Sequence, residues 1–477
     1  MLRRDSPGML VATLSAVALT VALLQTGVVP ILAVMARQLN ASTVDVSWAV
    51  TANLLAAAAS TPLIGRLADL HTKKTVLLAV LGVVLAGSVL AATTSSLALL
   101  ILARVLQGAS FALYPIGISI LREELPPERM MSAMAVLSGV LGFGGGMGLV
   151  ITGLLMRGDA GYHRTFWFTA AFSAVVLVLA AVVVPRRESS ATGTVDWAGA
   201  AGLAIGLSGV LLALTQGKTW GWGSPLTITS VGVGVAALGL WWWERRCVHP
   251  LVSTVMLSRR PILLTNIATV SVGMGLYFCF LGLTGIVQMP AASGYGFGAT
   301  VLGASVVFLL PGAMAGFVTA TASGRYIDRF GARPVLMVGA ATGVVGFAVL
   351  ALAHSQTWQV IVGGILVNAY ISLAYGALPA LVIAEVDAGE TGVATSVNAI
   401  ARTVGASISA ALVALLLSRH GSGLTFPPES SFTIIFALGA ISALVATLFI
   451  AASRPRLRPI ETVEELSVSR AMNHEWG

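Results

Sequence analysis

Apolar residues run through this chain in long blocks, not in the alternation of a strand. Fourteen blocks approach the roughly 20 residues that a helix needs to cross a hydrocarbon core. They lie near 9–36, 46–68, 75–94, 97–121, 131–156, 165–184, 196–216, 226–243, 262–290, 299–321, 334–353, 358–384, 392–418 and 431–453, numbered here as spans 1–14. The expected fold class is all-α integral membrane, and an even number of spans puts both ends of the chain on one side.

The polar positions between the blocks fix which side. Lys and Arg gather in alternate turns. If the chain starts in the cytoplasm, 20 of the 27 basic residues fall in inner segments and 5 in outer ones; Arg104 and Arg402 remain, inside spans. Basic residues prefer cytoplasmic turns, so both termini are expected in the cytoplasm of a plasma or bacterial inner membrane. Charged residues make up 10% of the chain, against about 25% in soluble domains, and 57% is apolar. The net charge of +8 sits in short turns and forms no basic face, so no nucleic-acid partner is expected. Two cysteines, Cys247 and Cys279, offer neither a disulfide framework nor a metal cluster. No phosphate-binding Gly-x4-Gly-Lys-Ser/Thr loop and no zinc motif occurs, so neither a cofactor nor enzymatic activity is expected.

One charged segment recurs. Gly65-Arg66-Leu67-Ala68-Asp69 is followed by Lys73, and 259 residues later Gly324-Arg325-Tyr326-Ile327-Asp328 is followed by Arg329 and Arg333. Each separates two apolar blocks, one after span 2 and one after span 10. Setting aside spans 7 and 8 leaves six spans on each side and puts the two segments at matching turns, the internal symmetry of secondary transporters. The chain then divides into an N-terminal bundle (1–190), two inserted spans (191–258), a C-terminal bundle (259–453) and a cytoplasmic tail (454–477). Gly in each segment permits close approach of helices, and Asp69 and Asp328 are expected to pair with basic residues across a short loop, with Arg66, Lys73, Arg329 and Arg333 as candidate partners.

With these motifs the chain resembles the major facilitator superfamily, and more narrowly its fourteen-helix drug:proton antiporters. Gly65, Asp69 and Lys73 match the motif after span 2, Gly324, Asp328, Arg329, Gly331 and Arg333 its second copy, Arg104-Val105-Leu106-Gln107-Gly108 the span 4 motif, and Asn398 to Gly405 a span 13 signature. The resemblance implies two six-helix bundles around a central cavity, alternating access, and export of drugs or other amphipathic molecules driven by protons. It implies that Gly65, Arg66, Asp69, Lys73, Gly324, Arg325, Asp328, Arg329 and Arg333 form a cytoplasmic gate. Two positions depart from the pattern. Span 1 has no acid in Leu23 to Pro30, and Gly148-Leu149 stands where span 5 would carry Gly-Pro.

Polar residues inside apolar blocks are the candidates for a pathway. Arg104, Gln107, Phe111 and Tyr114 share one stripe of span 4, and Asn398 and Arg402 one stripe of span 13. Asn266, Tyr277 and Gln288 lie along span 9, Asn368 and Tyr375 along span 12, and Gln25 and Asn53 are the best candidates in spans 1 and 2. Each has a plainer reading as a link between helices; for Arg104 that reading is an arginine tying carbonyls together in its own bundle. No Asp or Glu falls in the middle third of a span, and the closest acid, Asp45 at the outer mouth of span 2, is also explained as a first-turn acid favoured by the helix dipole. The sequence is therefore expected to encode a monomeric exporter of amphipathic small molecules among membrane lipids, with protons as the coupling ion. The paired arginines and missing acid lean towards anionic, zwitterionic or neutral substrates. An exporter of lipid-like metabolites, or a non-transporting sensor or assembly protein on the same fold, are the alternatives.

Overall fold

A computed structural model describes residues 7–156, 161–187, 194–243, 254–386, 390–417 and 426–453. The expected tail 454–477 and the basic residues Arg3, Arg4, Arg157, Arg245, Arg246, Arg419, Arg454, Arg456, Arg458 and Arg470 lie outside them. Among the described residues, fourteen helices are long and apolar enough to span a membrane: Pro7–Ile31, Asp45–Leu70, Lys73–Thr93, Leu97–Glu124, Ser132–Leu155, His163–Val183, Trp197–Gly217, Pro225–Trp242, Arg260–Gln288, Ala304–Phe330, Ala332–Leu352, Thr357–Ile383, Thr391–Leu417 and Glu429–Ala452. They correspond one for one to spans 1–14.

The sequence reading errs at the charged segments. Gly65, Arg66 and Asp69 lie on the last turns of the span 2 helix, and only His71 and Thr72 separate it from span 3. Span 10 likewise runs on to Phe330 and stops at Gly331, whose φ of +84° is open to glycine at little cost. Apolarity ends before the helix does, because charged side chains past the hydrocarbon edge still fit an α-helix.

Proline marks the irregular stretches. Span 1 leaves α-geometry after Thr26 and makes a 3-10 turn over Val29–Ile31 around Pro30. Span 4 makes a 3-10 turn over Ala109–Ala112 ahead of Pro115. Span 10 opens as a π-helix over Ala304–Leu309 ahead of Pro311. Each proline lacks the N–H that would close the preceding turn. Pro62 and Pro379 sit inside continuous helices.

The two halves have separate cores, one on Leu14, Leu77, Leu113 and Ile116, the other on Phe278, Phe347, Phe432 and Phe436. They meet chiefly along span 2 on span 13 and span 5 on span 10, and also where span 5 meets span 12 and span 4 meets span 13. Glycine allows the first two. A Cβ on Gly65 would stand 2.3 Å from Ser396 Oγ, and one on Gly324 2.5 Å from Ser132 Cα. Span 7 packs on span 2 and on span 13, so it touches both halves, and span 8 packs on span 7. Gln216 of span 7 donates to Thr51 Oγ1 of span 2 at 3.0 Å, and Trp220 lies 6.3 Å from Trp48 between ring centroids.

Candidate functional site

A cavity of about 140 Å³ lies between the halves, midway along spans 1, 4, 5, 9, 10, 12 and 13. Six residues singled out from the sequence reach it: Gln25, Tyr114, Tyr277, Asn368, Tyr375 and Arg402. The three irregular stretches also reach it, through Thr26 and Val29, Phe111, and Leu309. Broken helix is tolerated at membrane depth where it borders a cavity.

Arg402 is the cation of this site. Its guanidinium carbon lies 4.3 Å from the ring centroid of Tyr375 and 5.3 Å from that of Tyr114, cation–π distances on both. Tyr114 comes from the N-terminal half and Tyr375 from the C-terminal half. Span 13 holds Arg402 by backbone contact with span 9: a Cβ on Gly273 would stand 2.2 Å from the carbonyl oxygen of Arg402, and one on Gly405 2.0 Å from that of Val270. Below the arginine the halves are joined by polar contacts. Ser138 Oγ donates to the carbonyl of Tyr375 at 3.1 Å and shares a 2.7 Å hydrogen bond with Tyr114 Oη. Gln25 and Tyr277, from opposite halves, are within side-chain hydrogen-bonding reach. Among the described residues, neither Asp nor Glu lines the cavity.

Arg104 does not reach it, against the expectation of a pathway residue. It is 1% exposed and makes its hydrogen bonds within its own half. Its Nε donates to the carbonyl of Ala49 at 2.9 Å, and its Nη1 donates to the carbonyl of Leu24 at 3.3 Å and to Gln107 Oε1 at 2.5 Å. Gln107 passes the chain on to Ser88, and Asn53 donates to the carbonyl of Arg104 at 2.9 Å. Arg104, Gln107 and Asn53 thus knit spans 1–4 together. Asn398 is also structural, donating to Asn266 Oδ1 and Thr269 Oγ1 between spans 13 and 9. Gln288 lies outside the cavity lining. Asp45 is exposed in a capping box with Ser42, accepting from the Ser42 Oγ at 2.6 Å, so the first-turn reading describes it.

The face that carries both Gly-Arg segments is closed. Asp69, 1% exposed, accepts from the backbone N–H groups of Gly392 at 3.1 Å and Val393 at 3.0 Å, at the start of span 13. A carboxylate at a helix N-terminus meets open donors and the positive end of the dipole. Lys73 and Arg66, the basic partners expected from the sequence, lie close enough to act on the Asp69 charge, while the bonds that cross the seam come from backbone. Lys73 also pairs with Glu123 at the end of span 4. Arg122 donates across the halves to Thr391 Oγ1 and to the carbonyl of Val386. The second copy is unlike the first. Asp328 and Arg325 are exposed, Arg329 lies over the ring of Phe330, and Arg333 donates to the carbonyl of Ala451. Only Gly324 of that copy packs tightly across the seam.

Ser138, which joins the halves, and Phe280, which lines the cavity, carry no sequence signal, being ordinary residues in apolar blocks. Their roles come from which helix face meets the other half.

A family model described as Major Facilitator Superfamily matches residues 14–321 and again 267–474. The chain belongs to that superfamily. Its relatives include the uridine/deoxyuridine transporter of Lactococcus lactis subsp. cremoris, 27% identical over 73% of this chain and 73% of that protein. The tetracenomycin C resistance and export protein of Streptomyces glaucescens is 28% identical over 82% of this chain and 72% of its own length. Among solved structures, the human organic anion transporter MFSD10 (TETRAN) superposes with a TM-score of 0.61 over 92% of this chain and 100% of that one, at 15% identity, a likeness of fold alone.

Proposed function

We propose that this major facilitator exports amphipathic small molecules from the cytoplasm in exchange for protons, by alternating access. The observation that carries this reading is the cavity between the halves, ringed by aromatic and apolar side chains with a few polar groups, on a chain sealed at one face by Asp69 and Arg122. With the Gly-Arg face in the cytoplasm, this is a state closed towards the cytoplasm. Return to the inward state breaks the Asp69 and Arg122 bonds. Because the cavity lining holds no carboxylate, Asp69 in the gate is the buried acid on which proton coupling would act.

The test uses everted vesicles holding the protein and an imposed proton gradient, to which cationic, neutral and anionic amphiphiles are added in turn. Proton release on adding one class, absent from Asp69→Asn, is the expected result. A gradient indifferent to every compound would overturn antiport. A nucleoside belongs in the same panel, because one relative is a uridine/deoxyuridine transporter and the tyrosine faces of this cavity suit a flat polar ring; proton movement with uridine alone would replace the amphiphile reading.

A further inference from the structure

The two arginines at mid-membrane differ in one respect that bears on the ligand. Arg104 spends its donors on two carbonyls and an amide oxygen of its own half. Arg402 borders the cavity, held between the ring faces of Tyr114 and Tyr375, and none of the residues lining that cavity carries a negative charge. The tyrosine rings steady the guanidinium and their hydroxyls lie within side-chain hydrogen-bonding reach of it, but neither neutral tyrosine supplies the negative charge of a carboxylate. A cation in such a place is costly unless an anion meets it.

We propose that the cavity binds lipophilic organic monoanions, with the carboxylate or phenolate of the ligand on Arg402. This rests on the reading of the cavity as the substrate site. The guanidinium presents a planar fork that matches a carboxylate in two parallel hydrogen bonds. The apolar body of the ligand then lies against Phe111, Leu276 and Phe280, and Asn368 offers a neutral polar contact beside them. A cationic ligand of the same shape would bring a second positive charge into a poorly solvated space with no acid to receive it. Tyr114 contributes to both the floor of the cavity and the arginine's cradle, so an anion seated on Arg402 touches the junction between the halves.

The experiment measures binding of three naphthalene probes to the full-length protein in nanodiscs: 2-naphthoate, 2-naphthamide and a naphthylmethyl trimethylammonium ion. Empty nanodiscs correct for partition into lipid. Wild type is expected to bind the naphthoate at least about tenfold more tightly than the amide, and the cation least. Arg402→Gln is expected to bring the naphthoate to the level of the amide while amide binding holds, which also shows that the variant is folded. Arg402→Lys keeps part of the preference as a point charge without the fork. Equal binding of anion and amide by wild type, preference for the cation, an unchanged preference in Arg402→Gln, or no binding of any probe would each overturn the proposal. The wild-type comparison needs no variant, so it decides even if the variants do not fold. Charge-selective binding without proton movement in vesicles would sink the antiport reading and leave this inference standing; proton-coupled export of cations alone would do the reverse.

Discussion

Asp69 and Gly392 stand 323 positions apart in the chain, and a 3.1 Å hydrogen bond from the Gly392 N–H to the Asp69 carboxylate closes the Gly-Arg face. A second, from Val393, completes the cap on span 13. Bonds of this charged type contribute about 1.5–3 kcal/mol each. Asp69→Asn keeps one acceptor and loses the charge. The closed population is expected to fall by about 10-fold or more relative to the open one. Thiol labelling of Ser396→Cys, buried at this seam, measures it in a background with Cys247 and Cys279 replaced. Equal labelling rates with and without the Asp69 change would refute the gate.

The two glycines of the repeat make an internal comparison. A Cβ at Gly65 first meets Ser396 Oγ, a side-chain atom that can turn away, although Gly392 O also stands 3.0 Å off. A Cβ at Gly324 meets the Cα of Ser132, which only a shift of helix can relieve. Gly324→Ala is therefore expected to cost more than Gly65→Ala, on the order of 1–3 kcal/mol for such overpacking. Melting temperatures of the two variants in one detergent check the order, and removal of the Ser396 hydroxyl is expected to recover part of the Gly65→Ala loss only.

Arg104 and Arg402 are expected to fail in different ways. Arg104→Ala leaves the buried Gln107 Oε1 without its donor and removes the ties to the carbonyls of Ala49 and Leu24, at about 1–3 kcal/mol for the unsatisfied amide oxygen. Its signature is a lowered melting temperature, with the charge preference of surviving protein unaltered. A lost preference at normal stability would place Arg104 in the ligand pathway after all.

Gln216 and Thr51 test how spans 7 and 8 are held. Their 3.0 Å bond joins span 7 to span 2 inside a seam that also touches span 13. A double-mutant cycle with Gln216→Ala and Thr51→Ala is expected to show a coupling of about 0.5–1.5 kcal/mol in stability. Additive effects would mean that apolar packing alone holds the pair.

The sequence by itself determined the number of spans and, apart from the end of span 10, their places within several residues. Length and apolarity govern these, because a lipid core demands about 20 apolar residues and satisfies no free backbone. It also separated the polar residues of the spans from the rest. What it left open was which of them meet the cavity. Arg104 and Arg402 read alike along the chain, each an arginine on a polar stripe at mid-span. Only the tertiary structure shows that Arg104 faces Ala49 and Leu24 in its own half while Arg402 faces the other half across a space. The same holds for Asp69 and Asp328, equal in motif and unequal in place, one capping span 13 and the other exposed. Helical period fixes which residues share a face; the rotation of that face towards lipid, neighbour or cavity is set by packing, here by glycine contacts such as Gly273 on Arg402, which no local pattern encodes.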